Sequence, residues 1–166
     1  MSRLTLASAL FVSLVGSTLA ADFSGLVVSV PDGDTIEVLH NNRAERFRLN
    51  GIDCPEKGQA YGKTAKQAAS ALVFGKQVTL QTFGKDKYGR TISDVLLPDW
   101  TTVNHEQIKQ GWCWWYRKYA PGDIVLEGLE KEARQAKKRL WADPASRPPW
   151  LYRKAQRRQA VIFEAP

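Results

Sequence analysis

Cysteine and histidine are scarce: the 166 residues contain two of each. A structural zinc site takes four nitrogen or sulfur ligands, so this supply makes zinc a poor candidate. Metal chemistry in this chain must draw on oxygen donors, and those suit a hard cation such as Ca2+ or Mg2+. Charge is missing from the first twenty residues apart from Arg3, and Leu4 to Ala20 is apolar or small. With Thr18 and Ala20 at small-residue positions, residues 1–20 have the build of a secretory signal peptide. The run is short for a spanning helix, and its Ser, Gly and Thr content counts against a retained anchor. No cysteine lies near the boundary, which excludes a lipid-modified one there. Internal repeats and dividing linkers are also lacking, and the length is too small for two comfortable domains. The expected organisation is a signal peptide over 1–20, one domain over 21–145 and a basic tail over 146–166. The mature protein is expected to be periplasmic or secreted, without stable membrane insertion.

What is present is positive charge. Lys and Arg number 24 against 17 Asp and Glu, and loss of Arg3 with the signal lowers the net charge from +7 to +6. A basic exported protein attracts polyanions such as nucleic acid, anionic lipid or cell-wall polymer, although solubility alone also explains such a balance. Cys54 and Cys113, in an exported chain, can pair with each other.

The pattern opens as a meander. Leu26 to Val30 reads as a strand, Pro31 to Asp34 as a turn, and Thr35 to Leu39 as an alternating second strand. His40 to Arg43 is a hairpin tip, because Asn tolerates left-handed backbone. Glu45 to Leu49 is a third strand. Over Tyr61 to Phe74 the period becomes helical, and Gly75 ends it. Two strands come next, Gln77 to Thr82 and Thr91 to Leu97, around the polar hairpin "FGKDKYGR". Thr102 is expected to cap a short helix to Gln110, which Gly111 ends, and Asp123 to cap a longer one with the stripe Leu126, Leu129, Ala133, Ala136 and Leu140. Residues 151–160 carry Arg153, Lys154, Arg157 and Arg158, and read as a solvated end or a basic contact arm, the first slightly favoured. Five short strands with a helix after the third are the plan of a small Greek-key barrel, the OB-fold, in an α+β domain.

Taken singly, the charged turns are ordinary. "VPDGDTIEV", residues 30–38, is a turn on local grounds. Arg48 suits a solvated strand face, Asp53 and Glu56 suit the turn after it, and "DKYGR" suits a hairpin tip. Together, however, "PDGDT", "FRLNGIDCPE", "YGK" and "DKYGR", succeeded by "QGWCWWYRKY" and "EARQAKKRLW", resemble the thermonuclease or staphylococcal nuclease-like family. The resemblance covers about Leu26 to Trp141, and four separate stretches agree in order and spacing.

This resemblance implies a five-stranded OB-fold barrel with about three helices packed on it. It also implies a Ca2+-dependent phosphodiesterase, expected as a monomer, that cuts DNA and RNA to 3′-phosphate ends. Asp34 and Asp53 match the carboxylate ligands of the ion, the backbone carbonyl of Cys54 a third ligand, and Asp32 a carboxylate just behind them. Arg48, Glu56 and Arg90 match the catalytic trio, and Lys87 and Tyr88 match residues that touch a second phosphate. The chemistry agrees with these residue types. A phosphodiester repels an anionic nucleophile, so positive charge is needed where the transition state gains negative charge. Guanidiniums take two phosphoryl oxygens at once, and a carboxylate can accept the proton of the attacking water. In the family fold the turn after the third strand lies near the segment after the second helix, which brings Cys54 toward Cys113. The chain departs from the best-known member in three ways: Cys54 replaces a threonine, the segment Glu56 to Tyr61 is short, and "WCWWYRKY" is more aromatic, which leaves a second substrate-contacting tyrosine unplaced. The competing reading is a non-catalytic nucleic-acid-binding OB-fold protein of the cell envelope. The retained acidic and arginine positions weigh against it.

Overall fold

The computed structural model describes residues 22–164, with side chains described through Ala160. The signal-peptide reading of residues 1–20 therefore lies outside the described residues. No helix among those described is long and apolar enough to cross a membrane.

Five strands carry the fold: β1 (Asp22–Asp32), β2 (Thr35–His40), β3 (Arg43–Leu49), β5 (Gln77–Lys85) and β6 (Thr91–Leu96). They close into a barrel in the order β1-β2-β3-β6-β5, with β5 returning to β1. Two-residue strands β4 (Ile52–Asp53) and β7 (Trp114–Trp115) form a separate antiparallel ribbon. The helices are α1 (Gly62–Val73), α2 (Val103–Lys109), α3 (Ile124–Gln135) and α4 (Pro149–Glu164). The expected α+β OB-fold barrel is present, with a fourth helix added at the C-terminal end.

Local chemistry accounts for much of this. Asn41 and Asn42 hold φ of 48° and 60°, the left-handed pair that a two-residue hairpin between β2 and β3 requires. Alternation on β2 and β3 sends Ile36, Val38, Phe47 and Leu49 into the barrel, where Val27, Leu80 and Val95 meet them. α1 covers the core with Ala65, Ala69 and Val73, all buried. The small alanines let the helix approach closely. Asp123 caps α3 by accepting from the amides of Val125 and Leu126 at 3.0 and 2.9 Å.

Two expectations change. The apolar stripe predicts a helix as far as Leu140, but α3 ends at Gln135 and a 3-10 turn covers Arg139–Ala142. Lys137 and Arg139 adopt φ of 49° and 42°, which no α-helix accommodates; Leu140 is buried all the same. Thr102 precedes α2 without a side-chain cap bond.

The ribbon β4–β7 ties the segment after β3 to the helical layer. It pairs Asp53 with Trp114 and Ile52 with Trp115. Buried Glu130 of α3 accepts from the Trp115 amide at 3.1 Å and from Arg117 and Arg134 at 3.0 and 3.3 Å. At the ends of these strands, Cys54 directly after β4 and Cys113 directly before β7 form a disulfide. It closes a loop with a sequence separation of 59 residues. In the chain-entropy model such a link stabilises by about 4 kcal/mol. Urea unfolding with and without reductant should show a loss near that size; equal midpoints would assign the bond no stabilising role.

Candidate active site

The site lies where the β1–β2 turn meets the segment after β3. Asp34, in the turn, is buried, and its Oδ2 accepts from the Cys54 amide at 2.6 Å. The turn itself is held from behind, because Gln107 of α2 donates to the Gly33 carbonyl at 2.8 Å. Gly33 is needed here for space. A Cβ at this position would lie 2.9 Å from Cys54 Cβ and 3.1 Å from Ala65 Cβ. The glycine therefore lets the acidic turn press against the disulfide and α1. Asp32 closes the turn, with Oδ1 accepting from the Asp34 amide at 3.2 Å.

Arg48 is the shared partner of two carboxylates. Its Nη2 lies 3.0 Å from Asp34 Oδ2 and 3.1 Å from Asp53 Oδ1, and Nη1 donates to the carbonyl of Leu49 at 3.0 Å. Far from sitting on a solvated strand face, its side chain is only 13% exposed. Asp53 is buried and fixed along its backbone by β7. Glu56 comes next on a tight turn, its carbonyl accepting from the Gln59 amide at 2.8 Å. A Cβ on Gly62 would run into that same carbonyl, so the start of α1 can lie against the Glu56 segment only without a side chain.

Burial sets the electrostatics. Desolvation pushes the Asp34 carboxyl well above the usual carboxylate range; Arg48 opposes this, and the negative charges of Asp32 and Asp53 add to it. Asp53 is also raised, by desolvation first, with Arg153 and Arg48 pulling it back. Burial is thus the leading cost for both carboxylates. That donor set fits a hard dication, for which Asp34 and Asp53 supply the anionic oxygens. Among the described residues no three His, Cys, Asp or Glu side chains are grouped to hold a metal by themselves. Any such ion would take its further ligands from backbone, water or substrate.

The structure thus brings together Asp32, Asp34, Arg48, Asp53, Cys54 and Glu56. The remaining expected residues sit on the β5–β6 hairpin. Arg90 there is bonded to Asp86, with Nε and Nη2 both 2.7 Å from Oδ2. Its guanidinium also faces the Tyr88 ring at 5.5 Å. Lys87 lies over the same ring at 4.8 Å, and Tyr88 is exposed. One residue of the cluster escapes the sequence reading. Arg153, from the segment favoured as a solvated end, bonds both Asp53 and Glu56. A sequence signal for its element existed in "RPPW", since proline is favoured in the first turn of a helix.

Known proteins resemble the chain over this same region. Residues 46–143 match the family described as staphylococcal nuclease homologue. The chain is 46% identical over 135 residues to an Escherichia coli protein named "Uncharacterized endonuclease", covering 81% of this chain and 88% of that one. It is 38% identical over 166 residues to a "Micrococcal nuclease" of Shigella flexneri, covering 95% of each. A Haemophilus influenzae protein, also named "Uncharacterized endonuclease", is 42% identical over 119 residues, covering 70% of this chain and 65% of the other.

Gly33→Ala tests the packing of the acidic turn. The added methyl should lower stability by about 1–3 kcal/mol in denaturant titration. An unchanged midpoint would show that the turn can shift freely.

Proposed function

The chain belongs to the staphylococcal nuclease homologue family, and from that premise we infer that it is a nuclease acting on DNA and RNA. The observation that carries this reading is the convergence of Asp34, from the β1–β2 turn, and Asp53, from β4, on one Arg48 nitrogen, with Glu56 alongside Asp53. In this reading Asp34, Asp53 and the Cys54 carbonyl would hold Ca2+, with Asp32 supporting Asp34 from behind. Such an ion would supply positive charge to stabilise the phosphoryl transition state. Arg48 offers its fork to the phosphoryl group from the opposite side, and Arg90 does so from the neighbouring hairpin once it leaves Asp86. Glu56 accepts the proton of the attacking water as its oxygen bonds to phosphorus; the bond from phosphorus to the 5′ oxygen breaks, and that oxygen takes a proton from solvent, leaving a 3′-phosphate and a free 5′-hydroxyl. Lys87 and Tyr88 would touch a neighbouring phosphate in this reading, which their exposure on the hairpin supports.

The carboxylates also explain why arginine rather than lysine serves this site. A guanidinium keeps its charge while donating to several oxygens in a plane, so Arg48 can support two acids and still offer N–H groups.

The pattern of residues 1–20 supports an exported protein cleaved after Ala20, and we propose that the mature form is a monomer. Terminal sequencing of protein recovered from the periplasm or medium should begin at Ala21; a chain retained at Met1 in the cytosol would refute export.

Parallel assays with Ca2+, Mg2+ and EDTA test the activity. Cleavage of plasmid DNA should require the cation, and end-group analysis should find 3′-phosphate. Glu56→Gln should keep DNA binding and lose about 10²- to 10⁴-fold in kcat. DNA binding with no cleavage under any metal would instead support a non-catalytic nucleic-acid-binding protein.

A further inference from the structure

The C-terminal helix supplies none of the metal ligands or the catalytic trio, yet one of its side chains enters the site. Arg153 Nη2 donates to Asp53 Oδ2 at 2.7 Å, and Nη1 donates to Asp53 Oδ1 at 3.2 Å and to Glu56 Oε1 at 2.5 Å. One planar fork therefore spans both carboxylates. Arg48 meets Asp53 from Oδ1 as well, so Asp53 is held between two guanidiniums.

Contacts that owe nothing to these charges hold α4 in place. The Trp150 ring stacks on Tyr116 at 5.1 Å with only 2° between the planes. Gln59, near Glu56 in the chain, donates to the Arg147 carbonyl at 2.5 Å. Tyr61 and Asp143 approach at 3.4 Å. The Tyr152 hydroxyl lies against Gly58, 3.3 Å from where a Cβ would stand. The segment from Asp143 to Arg153 thus forms a wall along the Glu56 turn, and Arg153 projects from it. Its neighbours Lys154, Arg157 and Arg158 are exposed.

We propose that Arg153 is a positioning residue of the nuclease site: it fixes the Glu56 carboxylate through Oε1, against Asp53, and leaves Oε2 to take the proton from water. This rests on the nuclease reading with Glu56 as the base. Glu56 needs such help. Its side chain is 41% exposed and stands on a short turn, where a free glutamate samples several rotamers. A charge-assisted bond from a guanidinium that is itself locked on Asp53 selects one of them. Lysine carries the charge but lacks the fork, and cannot hold both acids in the same way.

The test compares the full mature chain with Arg153→Ala, Arg153→Lys, Glu56→Gln, the Arg153→Ala/Glu56→Gln double variant and Lys154→Ala, on a DNA duplex with Ca2+. Arg153→Ala should lower kcat about 10- to 100-fold with KM changed less than about threefold, a loss of the size that misplacing a reacting group produces. Arg153→Lys should recover part of it. On the Glu56→Gln background, Arg153→Ala should cost less than about threefold more, because it acts through Glu56. Lys154→Ala should match the parent. Calorimetry should find Ca2+ affinity kept or tightened in Arg153→Ala, since a competing positive charge has gone.

Faster cleavage by Arg153→Ala would make the residue a guard, and would overturn the proposal. So would a full additional loss on the Glu56→Gln background, a loss of Ca2+ binding, or an equal loss in Lys154→Ala. Should Arg153→Ala fold poorly, as read by thermal unfolding, the Arg153→Lys and Arg153→Gln variants carry the same comparison. A parent that does not cut, or a Glu56→Gln variant that cuts at the parent rate, overturns the nuclease reading and this inference with it. A parent that cuts through Glu56, with Arg153→Ala unaltered, overturns this inference alone.

Discussion

The bond from the Cys54 amide to Asp34 Oδ2 joins two parts of the chain that are 20 residues apart, and the site depends on it. On one side stands the β1–β2 turn, braced by Gln107 at the Gly33 carbonyl. On the other stands the segment after β3, braced by the disulfide and by the β4–β7 ribbon. Glu130 extends this support by gripping the Trp115 amide from α3. Asp53, whose backbone pairs with Trp114 in that ribbon, is thereby positioned by a carboxylate on a distant helix. Backbone and packing bring the acidic segments together, and the carboxylates complete the join through the Cys54 amide and the two guanidiniums.

Left to themselves, the carboxylate charges oppose the arrangement. Asp32, Asp34, Asp53 and Glu56 are gathered at one end of the barrel, and burial raises the two that lie deepest. Uncompensated buried carboxylates cost several kcal/mol each, so the cluster stands only with cations beside it. Arg48 meets this need from the barrel wall and Arg153 from the C-terminal helix. The buried carboxylate oxygens make the place receptive to a dication, and the guanidiniums make it receptive to phosphate. Stability and function thus pull against each other at the same atoms.

What could be read from the sequence was what local chemistry decides. The β2–β3 hairpin follows from Asn41 and Asn42, α1 from its alanine stripe, and the start of α3 from Asp123. The acidic turns could be placed because their spacing resembles a known family. The end of α3 was hidden, since Ala136 and Leu140 continue the apolar spacing and the break comes from non-glycine residues at positive φ. The β4–β7 ribbon has two residues per strand, too few to show a period. Glu130 gave a signal that charge obscured: it lies between Leu126 and Ala133 at helical spacing, on the buried stripe itself. Arg153 was hidden by its surroundings, because proline and a run of basic residues read as a loose end. The stacking of Trp150 on Tyr116 and the bond from Gln59 to the Arg147 carbonyl, neither visible in the pattern, show where that end goes.

The order of these parts along the chain has a bearing on folding. Asp32, Asp34, Asp53 and Glu56 lie within 25 residues of one another, whereas the contact of Arg153 with Glu56 spans 97 residues. A contact of such separation carries a large loop-closure cost until the barrel and helices between its ends have formed, so the acids should gain their second guanidinium late in folding.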